Sequence, residues 1–208
     1  MSWCLQDPWM ATLPSFDAKR FQEVSFFRCC RLTSLESLGE LHTLKTLNLW
    51  TCQALTQLPC SLSRLQSLEK ICISECHALR SIPECIGELC SLWYVQIKRC
   101  DCLTSLPDSL GRLQKLWMLH IESCAALTQL PASICNARSL EHVLVKGCNA
   151  MVFPPANVTC LQTRAILNYC QRQYRLPQLL LLILCARRSG PQAHLPDEMW
   201  SDSYTTYS

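Results

Sequence analysis

The sequence predicts an α/β solenoid with a curved parallel β-sheet on its concave face and short helical turns on its convex face. Internal repetition with a period of 24 residues is the first observation, and such a period is typical of stacked structural repeats. Four consecutive units begin at Leu55, Leu79, Leu103 and Leu127. A proline and a cysteine recur once per period, at Pro59, Pro83, Pro107, Pro131 and Pro155, and at Cys52, Cys76, Cys100, Cys124 and Cys148.

Each unit has two halves with different apolar spacing. In the first half, apolar residues such as Ile71 and Ile73 alternate with exposed positions, which indicates a β-strand. The second half follows the pattern LxxLPxSIGxL, in which a proline turn precedes apolar residues three or four positions apart, the spacing of a helical turn. A single unit cannot bury its apolar side, but units stacked about 4.8 Å apart in a parallel ladder can.

The repeat pattern sets the expected domain organisation. We expect an array over residues 1–161 that is regular from 32 to 150, followed by a non-repeat tail over 162–208 that is a cap or disordered. Upstream, Leu13-Pro14 resembles the end of a further unit. The apolar run Leu179–Leu184 in the tail is too short for a membrane span, which needs about 20 apolar residues.

The unit LxxLxLxxCxxLxxLPxSIGxLxxL resembles the leucine-rich repeats of plant intracellular nucleotide-binding disease resistance proteins. The clearest matches are Ser37-Leu38-Gly39, Ile86-Gly87 and Ser109-Leu110-Gly111. This resemblance implies a leucine-rich-repeat solenoid whose strands recognise proteins in innate immunity. Secreted receptor-kinase repeats carry a different signature, and bacterial effector ligases use shorter units. Because the chain has no GxxxxGK[ST] phosphate loop, nucleotide binding does not carry over from the family.

Composition excludes several classes of function. The net charge is only +3 and is scattered along the chain, so we expect no nucleic-acid surface. The N-terminus lacks the pattern of a secretory signal, so the 17 cysteines are expected to be reduced in the cytoplasm or nucleus. No CxxC pair is present, and we expect no metal or other cofactor. His120, His142 and Glu122 give too little basis for catalysis, and we expect no enzymatic activity.

The recurring cysteines form a predicted structural ladder. Its six positions are Cys29, Cys52, Cys76, Cys100, Cys124 and Cys148. Stacked residues in register point their Cβ atoms the same way, which is a poor geometry for disulfides, so small thiols are expected to fill the turns and donate weakly to backbone carbonyls.

The concave face is the predicted binding surface, because strand residues between the buried positions point out of the sheet. The nine candidates are Trp50, Trp93, Tyr94, Lys98, Arg99, Trp117, Met118, His120 and Glu122. Aromatic and arginine side chains dominate binding hot spots, although such aromatics also serve simply to cover a core edge. The expected partner is a pathogen effector, a host protein or a domain of the same receptor. The alternative is a non-immune intracellular scaffold or regulator.

Overall fold

The computed structural model describes residues 2–12 and 21–151 and the backbone of 166–167. Within them a single parallel sheet of eight strands follows the order of the chain, which confirms the predicted leucine-rich-repeat solenoid. The strands are β1 Ser2–Leu5, β2 Glu23–Phe27, β3 Thr46–Trp50, β4 Lys70–Ser74, β5 Tyr94–Lys98, β6 Met118–Glu122, β7 His142–Lys146 and β8 Ile166–Leu167.

The register of the sheet follows the sequence period. From β3 to β8 each strand residue pairs with the residue 24 positions later, as Ile71 does with Val95. Between β2 and β3 the offset is 23, as in the pair Val24 and Leu47, which matches the shorter unit at this point of the sequence. One coil therefore corresponds to one sequence unit.

The convex half of each coil is a single turn of 3₁₀ helix. These turns are η1 Glu36–Glu40, η2 Cys60–Arg64, η3 Glu84–Glu88, η4 Asp108–Arg112 and η5 Ala132–Asn136. Prolines precede four of them in extended backbone, and in η2 the Leu62 N–H donates to the Pro59 carbonyl at 3.2 Å. The turn η1 follows Leu35 instead of proline, so the proline favours the turn but is not required for it.

A continuous stack of leucine, isoleucine and valine fills the space between the sheet and the 3₁₀ turns. The repeat positions Leu68, Ile71 and Ile86, for example, are all at most 1% exposed. Burying one such side chain stabilises a fold by about 1.5–3 kcal/mol. The alternation in the sequence thus becomes one core shared by all coils.

The six ladder cysteines lie directly after the strands and are at most 2% exposed. Three of their thiols donate to carbonyls of the preceding coil, from Cys29 to Leu5 at 3.7 Å, from Cys76 to Leu49 at 3.8 Å and from Cys124 to Ile97 at 3.9 Å. Among the described residues, no group of three or more histidine, cysteine or acidic side chains is arranged to hold a metal ion.

Cysteines outside the ladder are less uniform. Cys135, in η5, is disulfide-bonded, which departs from the expectation of a fully reduced chain. It lies in the convex half, where the parallel Cβ geometry of the strands does not apply. The six ladder cysteines and seven other described cysteines have free thiols.

The ends of the array differ from the sequence expectation. Strand β1 adds a coil that the apolar pattern did not reveal, and its Trp3 ring packs against Phe26 with centroids 5.8 Å apart. At the other end, β8 pairs with β7 at the same 24-residue offset, so the sheet continues past the expected boundary at 161. Backbone pairing does not need the apolar side chains whose pattern stops at Arg164.

Other expectations lie outside the described residues: Leu13-Pro14, the register from Pro155 to Leu161, and the tail apart from the backbone of 166–167. In the part of the chain that the structure describes, no helix has the length and apolar character of a membrane span.

Candidate protein-interaction surface

The concave face consists of the first, third and fifth residues of each strand together with the residue before the strand. In β4 and β5 these positions are partly exposed while the intervening residues are buried. Because the strands are in register, equivalent residues of successive coils form columns across the face. A binding surface on this face is therefore a pattern of columns.

Aromatic rings crowd the edge of the face where the chain enters the strands. We call Trp93, Tyr94, Trp117 and His142 the entrance cluster. The ring centroids of Trp93 and Trp117 are 6.0 Å apart, those of Trp93 and Tyr94 are 5.7 Å apart, and Trp117 meets His142 edge-on at 4.4 Å. The Lys70 ammonium lies 4.8 Å from the Trp93 centroid, within the range of a cation–π interaction.

Backbone and side-chain hydrogen bonds fix these rings. The N–H groups of Trp117 and Met118 both donate to the Trp93 carbonyl, at 2.9 and 3.0 Å, which continues the parallel ladder beyond the strand ends. The Trp117 indole N–H also donates to a Glu141 carboxylate oxygen at 3.1 Å. The entrance cluster is therefore held in one arrangement before any partner arrives.

A row of charges crosses the face at the opposite ends of the strands. We call Lys98, Glu122 and Lys146 the charged row. Glu122 lies between the two lysines, 3.2 Å from the Lys98 Nζ atom and 3.4 Å from that of Lys146. Burial alone raises the pKa of Glu122, but the two ammonium groups outweigh this effect and leave the pKa below its usual range. Glu122 is therefore ionised near neutral pH, and the row carries one net positive charge.

His120 lies between the two groups, in the middle of β6. Its Nδ1 atom is 3.2 Å from the Gln96 side-chain amide, and its Nε2 atom is 3.4 Å from Glu122 without a hydrogen-bond partner among the described residues. Burial, with a smaller contribution from Lys98, lowers the pKa of His120 to about 4, so the ring is neutral near pH 7.

Two of the nine predicted residues are not exposed as expected. Met118 and His120 are each only 9% exposed, because the columns on either side of them carry large side chains that cover them. They support the face from below, and their contact with a partner remains untested.

The nine residues do not form one patch. Trp50 lies in the column of the charged row but on β3, where its ring packs on Phe27 with centroids 4.0 Å apart. Arg99 follows β5 and bonds to Glu75 at 2.8 Å outside the row. The entrance cluster is at the other end of the strands. The strand register shows this division, which residue type alone does not reveal.

Several residues of this face were absent from the nine candidates. They are Phe27, Lys70, Gln96, Glu141, His142 and Lys146. Five of these six lie 24 residues from another residue of the face, so the repeat offset applied to each candidate would have found them; Phe27 lies 23 residues from Trp50, across the shorter unit.

The fold and this face define the class of the molecule: it is a leucine-rich-repeat solenoid, a class of protein-interaction module. No protein-family model matches the sequence, and a search of curated proteins gives no match. Among solved structures, the chain is similar to the leucine-rich repeat domain of the type III effector XopL. The identity is 25%, the TM-score is 0.67, and the match covers 79% of this chain and 59% of that one.

A second similar structure is internalin C2 from Listeria monocytogenes, with 17% identity, a TM-score of 0.52, and coverage of 74% of this chain and 63% of that one. The chain thus spans less than two thirds of the length of either protein. Both are leucine-rich-repeat structures or adopt that fold, and neither is a plant receptor.

Proposed function

We propose that the concave face recognises a protein partner, chiefly through the entrance cluster. The observation that carries this proposal is the pair Trp93 and Trp117, two indole rings at the same position of adjacent strands with centroids 6.0 Å apart. Both rings are only partly buried, so a partner that covers them removes further apolar surface from water. Tryptophan is enriched in binding hot spots for this reason.

Preorganisation favours the same region. The ladder hydrogen bonds and the bond from Trp117 to Glu141 already restrict the rings, so binding loses little side-chain entropy. The charged row contributes orientation and specificity more than affinity, because its charges already pair with one another.

We further propose that the array, assigned to residues 1–161, is the recognition region of a plant-type intracellular immune receptor. The support is the 24-residue unit with its Leu-Pro pair, Ser-Leu-Gly step and cysteine. In this proposal the protein acts in the cytoplasm or nucleus and binds a pathogen effector, a host protein or a domain of its own receptor, without enzymatic activity of its own.

Proximity labelling of the full-length gene product in its own tissue tests the binding proposal. Unaltered protein is compared with the double variant Trp93→Ala and Trp117→Ala. Trp9→Ala is the matched control, because Trp9 is 73% exposed in the turn after β1 and off the concave face. We expect a set of partners that the double variant loses and the control keeps, with unchanged circular dichroism. If every labelled protein persists in the double variant, the entrance cluster is structural.

The second candidate function is a non-immune scaffold or regulator. It is favoured by the observation that similar repeat structures belong to a bacterial type III effector and an internalin, so this geometry is not specific to immune receptors. The genomic sequence upstream separates the two candidates. A reading frame encoding a phosphate-loop domain in continuity with the array supports the receptor, and a different domain supports the scaffold.

A further inference from the structure

Two cysteines outside the ladder face each other across the interface between two coils. Cys60 is the first residue of η2, and Cys85 is the second residue of η3. Their thiols are hydrogen-bonded to each other, and the Cys85 Sγ atom lies 4.0 Å from the carbonyl of Pro59, the residue before Cys60.

The repeat itself imposes this proximity. Residues 25 positions apart contact each other at three further interfaces between 3₁₀ turns. The Ser61 hydroxyl donates to the Glu36 carbonyl at 2.9 Å, the Ser109 N–H donates to the Glu84 carboxylate at 2.9 Å, and the Ser133 hydroxyl donates to the Asp108 carbonyl. Cys60 and Cys85 occupy the equivalent pair of positions, so their contact follows from the fold and not from one flexible side chain.

Ladder cysteines differ from this pair in geometry and in access. They are 24 residues apart in register, with parallel Cβ directions, and they are at most 2% exposed. Cys60 and Cys85 are offset by one further residue, so their side chains converge. The Cys60 thiol is exposed and that of Cys85 is partly exposed, so dissolved reagents reach both. Coils stacked about 4.8 Å apart keep the two Cα atoms near the range that a disulfide spans.

We infer that Cys60 and Cys85 form a reactive dithiol site that small-molecule disulfides, such as oxidised glutathione, convert to a disulfide between the two coils.

The exchange balances in two steps. The exposed Cys60 thiolate attacks one sulfur of the small disulfide, the S–S bond of that molecule breaks, and one small thiolate leaves. Cys85 then loses its proton to solvent and attacks the Cys60 sulfur, which releases the second small thiolate. Two electrons pass from the protein to the small disulfide, which becomes two thiols. Burial, together with the neighbouring Cys60 thiol, raises the pKa of Cys85 to about 12, which favours Cys60 as the attacking group.

The cross-link has a mechanical consequence, because it ties η2 to η3 on the convex side. It closes a chain loop between residues 60 and 85 in the unfolded state, so it stabilises the two coils without changing the concave face. For a loop of this length, the urea midpoint of unfolding is expected to rise by about 1 M.

The test uses the full chain in a series of buffers with increasing ratios of oxidised to reduced glutathione, followed by acid quenching and non-reducing peptide mapping. We expect a 60–85 cross-linked peptide whose formation dithiothreitol reverses, accompanied by the shift in the urea midpoint. The Cys60→Ser and Cys85→Ser variants each lose the cross-link, while Cys90→Ser, which removes another exposed thiol of the same face, keeps it.

The mapping of the unaltered chain decides the outcome independently of how the variants fold. Stable glutathione adducts on Cys60 and Cys85 separately, pairing of either with another cysteine, or disulfide-linked dimers through Cys60 each overturn the inference.

Discussion

Gly111 and Ser133 touch across two coils so closely that glycine is required. A Cβ atom built on Gly111 would lie 2.0 Å from the Ser133 carbonyl oxygen and 2.8 Å from the Ser133 Cβ atom. Gly39 and Gly87 make the same approach to Ser61 and Ser109. The Ser-Leu-Gly step of the repeat is therefore the contact that sets the spacing of the convex side.

We expect Gly111→Ala to destabilise the array by about 2–3 kcal/mol. The new methyl group meets backbone, which cannot rotate away, so η4 and η5 must separate. Urea unfolding followed by circular dichroism measures the change. Lys115→Ala, at a nearby exposed position, is the control and should change the free energy of unfolding by no more than about 0.5 kcal/mol. Equal stability of the two variants would mean that the coils do not stack this closely.

A left-handed residue follows six consecutive strands from β2 to β7, with φ between 50° and 66°, and only the last of these residues, Gly147, is glycine. Ser123, with φ of 54°, has backbone strain that glycine does not have. We expect Ser123→Gly to stabilise the array by about 1 kcal/mol and Gly147→Ser to destabilise it by a similar amount. Thermal unfolding measures both. A loss of stability in Ser123→Gly would contradict the strain.

The ladder cysteines are predicted to act as small apolar side chains more than as hydrogen-bond donors. Cys76 is fully buried, and its long contacts with the Leu49 and Ser74 carbonyls, at 3.8 and 3.6 Å, suit sulfur. We expect Cys76→Ala to cost about 1 kcal/mol and Cys76→Ser to cost more, because a buried hydroxyl loses its hydration without a well-placed acceptor. Urea midpoints give the order. A more stable serine variant would show that hydrogen bonding is the main role of the ladder.

Acidification is expected to destabilise the array through His120. Its pKa falls from an unfolded value near 6.5 to about 4 in the folded chain, so the unfolded state binds more protons between these values. Stability is complete above pH 6.5 and decreases as the pH falls, with a loss of about 2 kcal/mol at pH 5. Burial also lowers the pKa of His142, which acts in the same direction.

Urea unfolding of the unaltered chain and of His120→Gln between pH 7 and pH 5 checks this expectation. The variant keeps a side-chain amide beside Gln96 and Glu122 but has no titrating ring, so it should show a clearly smaller pH dependence. Identical pH profiles would mean that His120 is solvated in the folded state.

Much of the fold was predictable because the repeat encodes it locally. The 24-residue offset, the strand alternation around Ile71 and Ile73, and the proline turn at Pro59 each appear in the structure as the sequence indicates. Strand β1 was missed because its four residues are too few to show an alternation, and β8 was missed because its pairing depends on backbone.

The candidate surface was only partly predictable. Sequence placed Trp93 and Trp117 in one column, and the strand register places them so. It did not separate them from Trp50, and it left Met118 and His120 exposed although neighbouring side chains cover both. Exposure on a concave face depends on the size of the side chains in the adjacent columns, which come from residues 24 positions away on both sides.

The sequence by itself determined the coil: its length, its strand, its 3₁₀ turn and the side chains that point into the core, since each depends on residues within one period. Only the tertiary structure decided what the columns do. It brought Glu122 between Lys98 and Lys146, placed the thiols of Cys60 and Cys85 together, and left so little room at Gly111 that no side chain fits. The physical reason is that these relationships depend on the lateral offset between coils, which is fixed by packing between units and not by the pattern within one.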